Sequence, residues 1–126
     1  MPAPTWTISE LAQEFGITPR TIRFYEDQGI VSPVRCGRRR VYAARDRTRL
    51  KLALRGKRLG LQLSEIRSLI DMYDGPGDSQ GQLRHYLAIL ERHRGQLEQQ
   101  RRDIDETLAE IAAQEKACRE LLARSG

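Results

Sequence analysis

The sequence predicts a mainly α-helical fold, in which a winged helix-turn-helix head precedes one long helix. Two short amphipathic stretches lie on either side of a two-residue connection at Gly16 and Ile17, a spacing typical of a helix-turn-helix. An arginine-rich run with a glycine at its centre follows them and indicates a small β-hairpin. From Leu83 onward, apolar residues recur at alternating steps of four and three, and no proline interrupts them.

Charge divides the sequence into two unequal halves. Residues 1–60 hold 13 Lys and Arg against 5 Asp and Glu, whereas residues 61–126 hold 9 against 12, so the net charge of +5 hides values of +8 and −3. The basic half suits a polyanionic partner such as nucleic acid. The chain has no run of about 18 apolar residues and no secretory signal pattern at its start, so we expect a cytoplasmic protein with no membrane partner.

Capping residues bound the first two predicted helices. Thr7 and Glu10 match a capping box before the first helix, which Gly16 ends. Thr18 caps the second helix, and a proline takes its first position, where a missing N–H costs nothing. We expect the second helix to stop just before Gly29.

A hairpin and two further helices are predicted to complete the head. Residues Ile30–Val34 and Arg40–Tyr42 are β-prone and are predicted to pair as a wing, with the turn at Gly37. A basic helix is predicted over about 44–59 and a fourth helix over 63–74. The residues predicted to face inward from the fourth helix are Ile66, Leu69, Ile70 and Tyr73.

A break rich in glycine separates two predicted domains. Residues 75–81 contain three glycines and one proline, which are unsuited to a helix. They divide a winged-helix DNA-binding domain with two accessory helices, residues 1–74, from a dimerisation helix predicted over 82–123. The seam positions of this helix that we predict to mediate dimerisation are Leu83, Leu87, Leu90, Leu97, Ile104, Leu108, Ile111, Cys118 and Leu122.

The long helix is predicted to pair with a second copy of itself. Some forty helical residues span about 60 Å, too far to fold back on a head of this size. A helix with a single apolar stripe and no partner is only marginally stable, so we expect a homodimer. Arg94, Arg101 and Glu115 interrupt the seam with charge, which indicates control of register.

The second helix carries side chains suited to DNA. Arg20 and Arg23 lie three residues apart and share one face, the spacing for touching neighbouring bases or phosphates in a major groove. A solvated arginine pair is the alternative. Thr18 and Thr21 suit phosphate hydrogen bonds. For Tyr25 two interpretations stay open, a phosphate-contacting hydroxyl and a partly buried ring.

The wing adds a second group of candidate DNA contacts. Arg38, Arg39 and Arg40 form a run of like charge on a turn, which mutual repulsion disfavours without an anion. They are predicted to bind phosphates, with Tyr42 supplying a hydroxyl, and to give affinity and salt dependence more than sequence choice. Arg45, Arg47 and Arg49 are predicted to extend this track onto the third helix, with a solvated face as the alternative.

The cysteines and histidines do not form a recognisable reactive centre. Cys36 and Cys118 lie far apart, and only His85 and His93 could join them, too few for a structural zinc site. We therefore predict no metal, and we favour Cys118 as a seam residue over Cys118 as a ligand, while nearby arginines could make Cys36 oxidisable. Since neither histidine adjoins a nucleophile or carboxylate pair, we expect no enzyme.

In this order of elements, the sequence resembles the MerR family of bacterial transcription regulators. The motif Ile22–Gly29, IRFYEDQG, carries the resemblance, which covers nearly the whole chain. The runs Arg45–Leu52, Arg55–Gly60 and Ile70–Asp74 are similar to the branch that regulates leucine and isovalerate degradation genes. The family usually has a Ser or Thr cap where this chain has alanines at 43 and 44, which leaves the start of the third helix open.

The resemblance implies an effector-responsive regulator. In this family an antiparallel coiled coil holds a two-fold dimer on a palindromic site in double-stranded promoter DNA, and effector binding distorts a spacer that is over-long for RNA polymerase. No cofactor is implied. In an antiparallel pair centred near residue 104 or 105, Glu115 would lie close to the partner's Arg94.

The effector is the least defined part of the prediction. The branch implies a small acyl-CoA or organic-acid effector, for which the candidate residues around the glycine break are Tyr73, Arg84, His85 and Tyr86; ordinary interface residues are the alternative interpretation. Two rival functions stay open. One is a thiol- or metal-responsive regulator of the same family, and the other is a coiled-coil adaptor with a non-specific basic head.

Overall fold

The computed structural model describes residues 3–75 and 79–125 and confirms the mainly helical fold class with a small sheet. The elements in chain order are β1 (Thr5–Trp6), α1 (Ile8–Phe15), α2 (Pro19–Asp27), β2 (Val34–Cys36), β3 (Arg39–Ala43), α3 (Ala44–Arg58), α4 (Leu63–Asp74) and α5 (Ser79–Ser125). Two compact units divide the chain, Met1–Tyr86 and Leu87–Gly126. Within the described ranges, none of the helices has the length and apolar content needed to cross a lipid bilayer.

The helix-turn-helix forms through the caps that the sequence predicts. The Thr7 N–H donates to Glu10 at 2.8 Å, and the Glu10 N–H donates to the Thr7 hydroxyl at 3.1 Å, so the capping box before α1 is confirmed. Gly16 ends α1 with a φ of 65°, in the left-handed region that glycine tolerates. The Thr18 hydroxyl accepts the Thr21 N–H at 3.2 Å and starts α2.

The wing is part of a three-stranded antiparallel sheet with the strand order β1-β3-β2. Val34 pairs with Val41 in the wing hairpin, and Trp6 pairs with Tyr42 on the other edge of β3. The strand β1 was not predicted, because two residues are too short to show an alternating pattern. It ties the start of the chain to the wing.

The first predicted wing strand, Ile30–Val34, was too long. Pairing begins only at Val34, since Pro33 has no N–H to donate to a ladder. Ile30 and Val31 are each 1% exposed and belong to the core of the head. The Ile30 N–H donates instead to the Tyr25 carbonyl at 2.9 Å, which closes the end of α2. The β-propensity of this pair therefore reflected burial and not strand formation.

A carboxylate from inside the helix defines the start of α3. Ala43 has no side chain that could cap α3, yet the helix begins at Ala44. The Asp46 carboxylate accepts the Ala43 N–H at 3.1 Å and the Ser32 N–H at 2.9 Å. Although Asp46 is 7% exposed, these two N–H donors satisfy its charge. Asp46 thus joins the wing, α3 and the loop after α2 without a hydroxyl cap.

A glycine allows α3 and α4 to approach closely. A Cβ at Gly56 would lie 2.8 Å from Ile66 Cγ1 and 3.4 Å from Leu61 Cδ1. As predicted, Ile66, Leu69 and Ile70 are buried on α4. Tyr73, which was predicted to face inward, is 58% exposed, so that prediction was wrong. It lies in the last turn of α4.

The last helix begins earlier than the sequence predicts. α5 spans Ser79–Ser125, so its first residues occupy the end of the predicted break, of which residues 76–78 lie outside the described ranges. A single glycine at 81 costs a helix only about 1 kcal/mol, which does not stop one of this length. Most seam residues predicted on α5 are exposed in the single chain. They are Leu83, Leu87, Leu97, Ile104, Leu108, Ile111, Cys118 and Leu122. Leu90 is half-buried.

Candidate nucleic-acid interface

The exposed face of α2 carries two arginines with free guanidinium groups. Arg20 and Arg23 are both exposed, and neither forms an ion pair with any residue of the described ranges. The aromatic ring of Phe24, 48% exposed, lies on the same side of the helix and packs edge-on against Tyr25, with ring centroids 5.3 Å apart. An uncompensated pair of guanidinium groups on a helix face is suited to reading guanine edges or phosphates.

The hydroxyl groups at the start of α2 point to a shared location. The Thr18 and Thr21 hydroxyls lie 3.1 Å apart, next to the helix N-terminus. Because each hydroxyl has a single proton, one of the two donates to the other, and the accepting hydroxyl keeps its proton for a phosphate oxygen. Their position beside the N-terminus of α2 suits an anion.

A single carboxylate positions the wing against α2. The Arg40 Nε donates to Glu26 at 2.9 Å, and an Arg35 nitrogen lies 3.6 Å from the same carboxylate. The Arg40 side chain is only 24% exposed, so part of its charge is spent on this contact. Arg38 and Arg39 remain exposed. The predicted run of three wing arginines therefore divides into one anchor and two outward side chains.

The wing arginines meet the N-terminus of α1, a juxtaposition that the sequence did not indicate. Arg38, Arg39 and Arg40 line a cavity of about 390 Å³ together with Thr7, Ile8 and Ser9. Three guanidinium groups beside a helix N-terminus produce a local positive potential suited to a phosphate. The spacing of 29 residues between the two segments hides this contact from sequence inspection.

The two tyrosines predicted to contact DNA are both in the core. Tyr42 is fully buried, and its hydroxyl has no hydrogen-bond partner within the described ranges. Burial raises the pKa of Tyr42 above its ordinary value of 10, and the nearby Glu26 charge adds to this, while Arg40 opposes it. Tyr25 is 2% exposed, and burial raises its pKa too. The predicted phosphate contact of Tyr42 was therefore wrong, and Tyr25 is the buried ring of the two open interpretations.

The arginines of α3 differ in what holds them. Arg45 is the exposed one, with 71% of its side chain accessible, although Asp74 lies 3.2 Å away. Arg49 donates to the same Asp74 carboxylate and to the Ile30 carbonyl, which fixes it inside the head. Arg45 alone of this pair is free enough to extend the DNA-binding track.

Arg47 is a structural residue near the start of α3. It donates to Glu14 on α1, with the Arg47 Nε at 3.0 Å. Its guanidinium also lies 5.6 Å from the Trp6 ring centre and 5.9 Å from that of Phe15. The hydrogen bond from Arg47 holds the pKa of Glu14 below its ordinary value of 4.5. These contacts join β1, α1 and α3.

A groove between the start of α2 and α3 brings together cations that the sequence analysis did not single out. The α2–α3 groove has a volume of about 650 Å³. Its lining residues are Phe15, Ile17, Thr18, Thr21, Lys51, Leu54, Lys57 and Arg58. Lys51 and Arg58 are seven residues apart, hence on one helix face, and that spacing was the available signal. Lys57 and Arg58 extend the cationic surface from α2 towards the end of α3.

The predicted effector residues come together only in part. His85 and Tyr86 line a cavity of about 440 Å³ with Ser68, Asp71, Gly81 and Gln82. Tyr73 and Arg84 are exposed and do not line it. The lining has a carboxylate and no Lys or Arg, so it does not offer the charge that an anionic effector needs.

The two cysteines are exposed thiols. Neither Cys36 nor Cys118 forms a disulfide. Across residues 3–75 and 79–125, no three His, Cys, Asp or Glu side chains of one chain cluster closely enough to hold a metal ion.

Comparison with known proteins assigns these elements to one family. The family described as "MerR HTH family regulatory protein" matches residues 6–73, and that described as "MerR, DNA binding" matches residues 47–114. The chain is 30% identical over 100 residues to the transcriptional regulator CueR of Salmonella typhi, covering 75% of this chain and 72% of that protein. It is 38% identical over 68 residues to the regulator HmrR of Rhizobium leguminosarum bv. viciae, covering 53% of each.

Solved structures share the fold. A MerR family regulator from Bacillus cereus superposes with a TM-score of 0.66 at 23% identity, covering 84% of this chain and 76% of that chain. HiNmlR, a MerR family regulator solved bound to promoter DNA, superposes with a TM-score of 0.60 at 23% identity, covering 83% and 79%. These relatives are transcription regulators and not enzymes. With both family descriptions matching more than half of the sequence, the chain belongs to the MerR family of transcription regulators.

Proposed function

We propose that this protein is a sequence-specific regulator that reads a promoter in the cytoplasm through α2. MerR regulators bind promoter DNA and act as dimers. The observation that carries the proposal is the pair Arg20 and Arg23, which stand exposed and unpaired on α2, whereas carboxylates hold Arg40, Arg47 and Arg49. An arginine without an internal partner is available for a bidentate contact with guanine.

The remaining contacts in the proposal position the protein without reading sequence. Phosphates bind at Arg38 and Arg39 on the wing, at the Thr18 and Thr21 hydroxyls, and at Arg45. The fixed wing supports this arrangement, because Glu26 on α2 holds Arg40 at 2.9 Å. Phosphate contacts of this kind give affinity that falls steeply with salt.

In the proposed dimer, the exposed seam of α5 packs against the same seam of a second copy, antiparallel to it. Support comes from a shallow groove of about 650 Å³ along this face, lined by Thr107, Glu110, Ile111, Gln114, Glu115, Cys118 and Arg119. Glu115 lies 3.5 Å from Arg119 on its own helix. The partner's Arg94 would join this pair and contribute to register.

The proposed effector is a branched acyl-CoA thioester or a related organic acid, and the proposed targets are branched-chain degradation genes. This part rests on the similarity of Arg45–Leu52 and Arg55–Gly60 to the leucine and isovalerate branch. On binding, the effector would change how far the dimer bends the promoter spacer and thereby alter access by RNA polymerase.

A metal- or thiol-responsive regulator is the second candidate. It is favoured by the relatives, which include CueR, HmrR, a ZntR homolog and PbrR691, the last solved in complex with lead(II). Cys118 supports it as an exposed thiol on the seam. Evidence against it is that, in the described part of one chain, no three His, Cys, Asp or Glu side chains lie close enough together to bind a metal ion.

A DNA-binding titration separates these candidates. The full-length protein is titrated against the promoter of its neighbouring genes with excess random competitor, alone and with a branched acyl-CoA, Zn²⁺ or Cu⁺. We expect selective binding that changes with the thioester. Selective binding that responds to a metal instead transfers the assignment to the second candidate. Equal binding to random DNA contradicts the regulator and supports an adaptor with a basic head.

A further inference from the structure

The α2–α3 groove combines two chemistries. Its floor is formed by three half-buried apolar side chains, Phe15, Ile17 and Leu54, and its rim by the cations Lys51, Lys57 and Arg58. A DNA phosphate uses cations and hydroxyls but gains nothing from an apolar floor. The volume of about 650 Å³ lies within the range of about 300–1,000 Å³ that is usual for small-molecule sites.

Neither of the other two cavities described in the head has this combination. The cavity at the wing holds three arginines with two hydroxyl-bearing residues, and its one aliphatic side chain is Ile8. The cavity beside α4 is lined by Asp71 and His85 and has neither Lys nor Arg. Of the three cavities described in the head, the α2–α3 groove is therefore the one that offers both halves of its chemistry to an anion with a hydrocarbon tail.

We propose that the α2–α3 groove binds an amphipathic anion, with a hydrocarbon tail on the Phe15, Ile17 and Leu54 floor and the anionic head at the cationic rim. The tail removes apolar floor from water, and the head is paired by charges that lie at the groove edge. The hydroxyls of Thr18 and Thr21 line the same groove and orient the head.

Occupancy of this groove excludes DNA. Thr18 and Thr21, which line the groove, are among the side chains that contact phosphate in the proposed function, on which this consequence rests. A ligand head and a DNA phosphate compete for the same donors, so each weakens the binding of the other by the same factor. The α2–α3 groove would then both select the class of effector and control DNA binding.

A direct binding measurement tests the site without DNA. The full-length protein is titrated by calorimetry with decanoate, with acetate as the anion without a tail and decyltrimethylammonium as the tail with the opposite charge. We expect decanoate alone to bind. Failure of decanoate to bind, or equally tight binding of either control ligand, overturns the proposal.

Matched variants locate the ligand in the groove. Leu54→Gln removes apolar floor while the cations stay, whereas Leu59→Gln changes a leucine of the same helix end that is 43% exposed and outside the groove. We expect decanoate to bind Leu54→Gln at least about tenfold more weakly and Leu59→Gln like the unchanged protein. Equal affinity for both variants, with unchanged circular dichroism, places the ligand elsewhere and overturns the site.

A competition measurement tests the exclusion. Saturating decanoate is expected to lower the promoter affinity of the unchanged protein by about tenfold. Without ligand, Leu54→Gln is expected to bind the promoter like the unchanged protein, and the same decanoate concentration should leave its affinity unaffected. Undiminished promoter affinity at saturating decanoate overturns the exclusion. Absence of promoter selectivity before any ligand is added contradicts the proposed function instead. The calorimetric titration still tests ligand binding in the groove independently of that result.

Discussion

The head and the long helix treat their apolar residues in opposite ways. In the unit Met1–Tyr86, Leu11, Ile22 and Leu50 have no exposed surface. In the unit Leu87–Gly126, by contrast, Ile104 and Leu108 are each 58% exposed, and every described residue from 99 onward is exposed. The head buries most of its hydrophobic pattern within one chain, whereas the helix beyond residue 98 leaves its apolar stripe exposed.

The same contrast holds for charged side chains. In the head, Glu14, Glu26 and Asp74 reach across 14 to 33 residues of sequence to hold arginines on other elements. Along the described part of α5 beyond residue 98, the recorded pairs are local, such as Arg119 with Glu115 four residues away. Long-range ion pairs specify the shape of the head, whereas those described on the helix beyond residue 98 join near neighbours in sequence.

A charge placed in the seam should give the largest effect. Ile104→Glu puts two carboxylates into the proposed dimer interface, where an unpaired buried charge costs about 3–5 kcal/mol. We expect dimers to dissociate in sedimentation equilibrium and promoter binding to fall more than about a hundredfold, with the head still folded. Ala113→Glu, about 180° around the helix, is the control and should stay dimeric. A dimeric Ile104→Glu protein would place the interface elsewhere.

Two glycine substitutions, one in each unit, should change the free energy of unfolding by different amounts. Gly56→Val forces a side chain against Ile66, 2.8 Å from the Cβ position, and overpacking of this kind costs about 1–3 kcal/mol. Gly95→Val meets nothing within 4 Å and should change the free energy of unfolding by less than about 0.5 kcal/mol. Urea unfolding at one protein concentration measures both. Equal losses would show that the helix is as tightly packed as the head.

Arginine substitutions in the head should distinguish contacts with DNA bases from contacts with phosphates. Arg20→Ala or Arg23→Ala should weaken promoter binding by about 1–3 kcal/mol while random DNA binding changes little, if a bidentate base contact is lost. Arg38→Ala should weaken both alike and reduce the salt slope by about one. Competition gel shifts at several salt concentrations measure the difference. Equal losses on both DNAs for the α2 variants would remove α2 as the reading helix.

The smallest effect is expected from Tyr42→Phe. Because the Tyr42 hydroxyl is buried without a described partner, its removal should leave stability unchanged or raise it by up to about 1 kcal/mol, and promoter affinity should not change. The pKa of Tyr42 is raised when folded, so the unfolded chain ionises first and stability falls as pH rises above about 10. Tyr42→Phe should reduce that alkaline loss in urea unfolding. A drop in promoter affinity would restore the hydroxyl as a DNA contact.

Local signals predicted the elements, and long-range contacts decided the site. The caps at Thr7 and Thr18 and the stop at Gly16 involve neighbours within a few residues, so they could be read directly from the sequence. The burial of Tyr42 could not, since it depends on packing between β3 and other elements. The same is true of the α2–α3 groove, whose lining is drawn from three helices and the turn between the first two.

By itself, the sequence determined the helix-turn-helix, the wing turn at Gly37, the long seam of α5 and the concentration of positive charge in the head, because each depends on local conformation or on composition. Only the tertiary structure decided which arginines are free. Arg47 and Arg49 look like Arg20 and Arg23 in the sequence, yet Glu14 and Asp74 hold the first pair and nothing described holds the second. The reason is physical, since an ion pair forms only where folding brings opposite charges within about 4 Å.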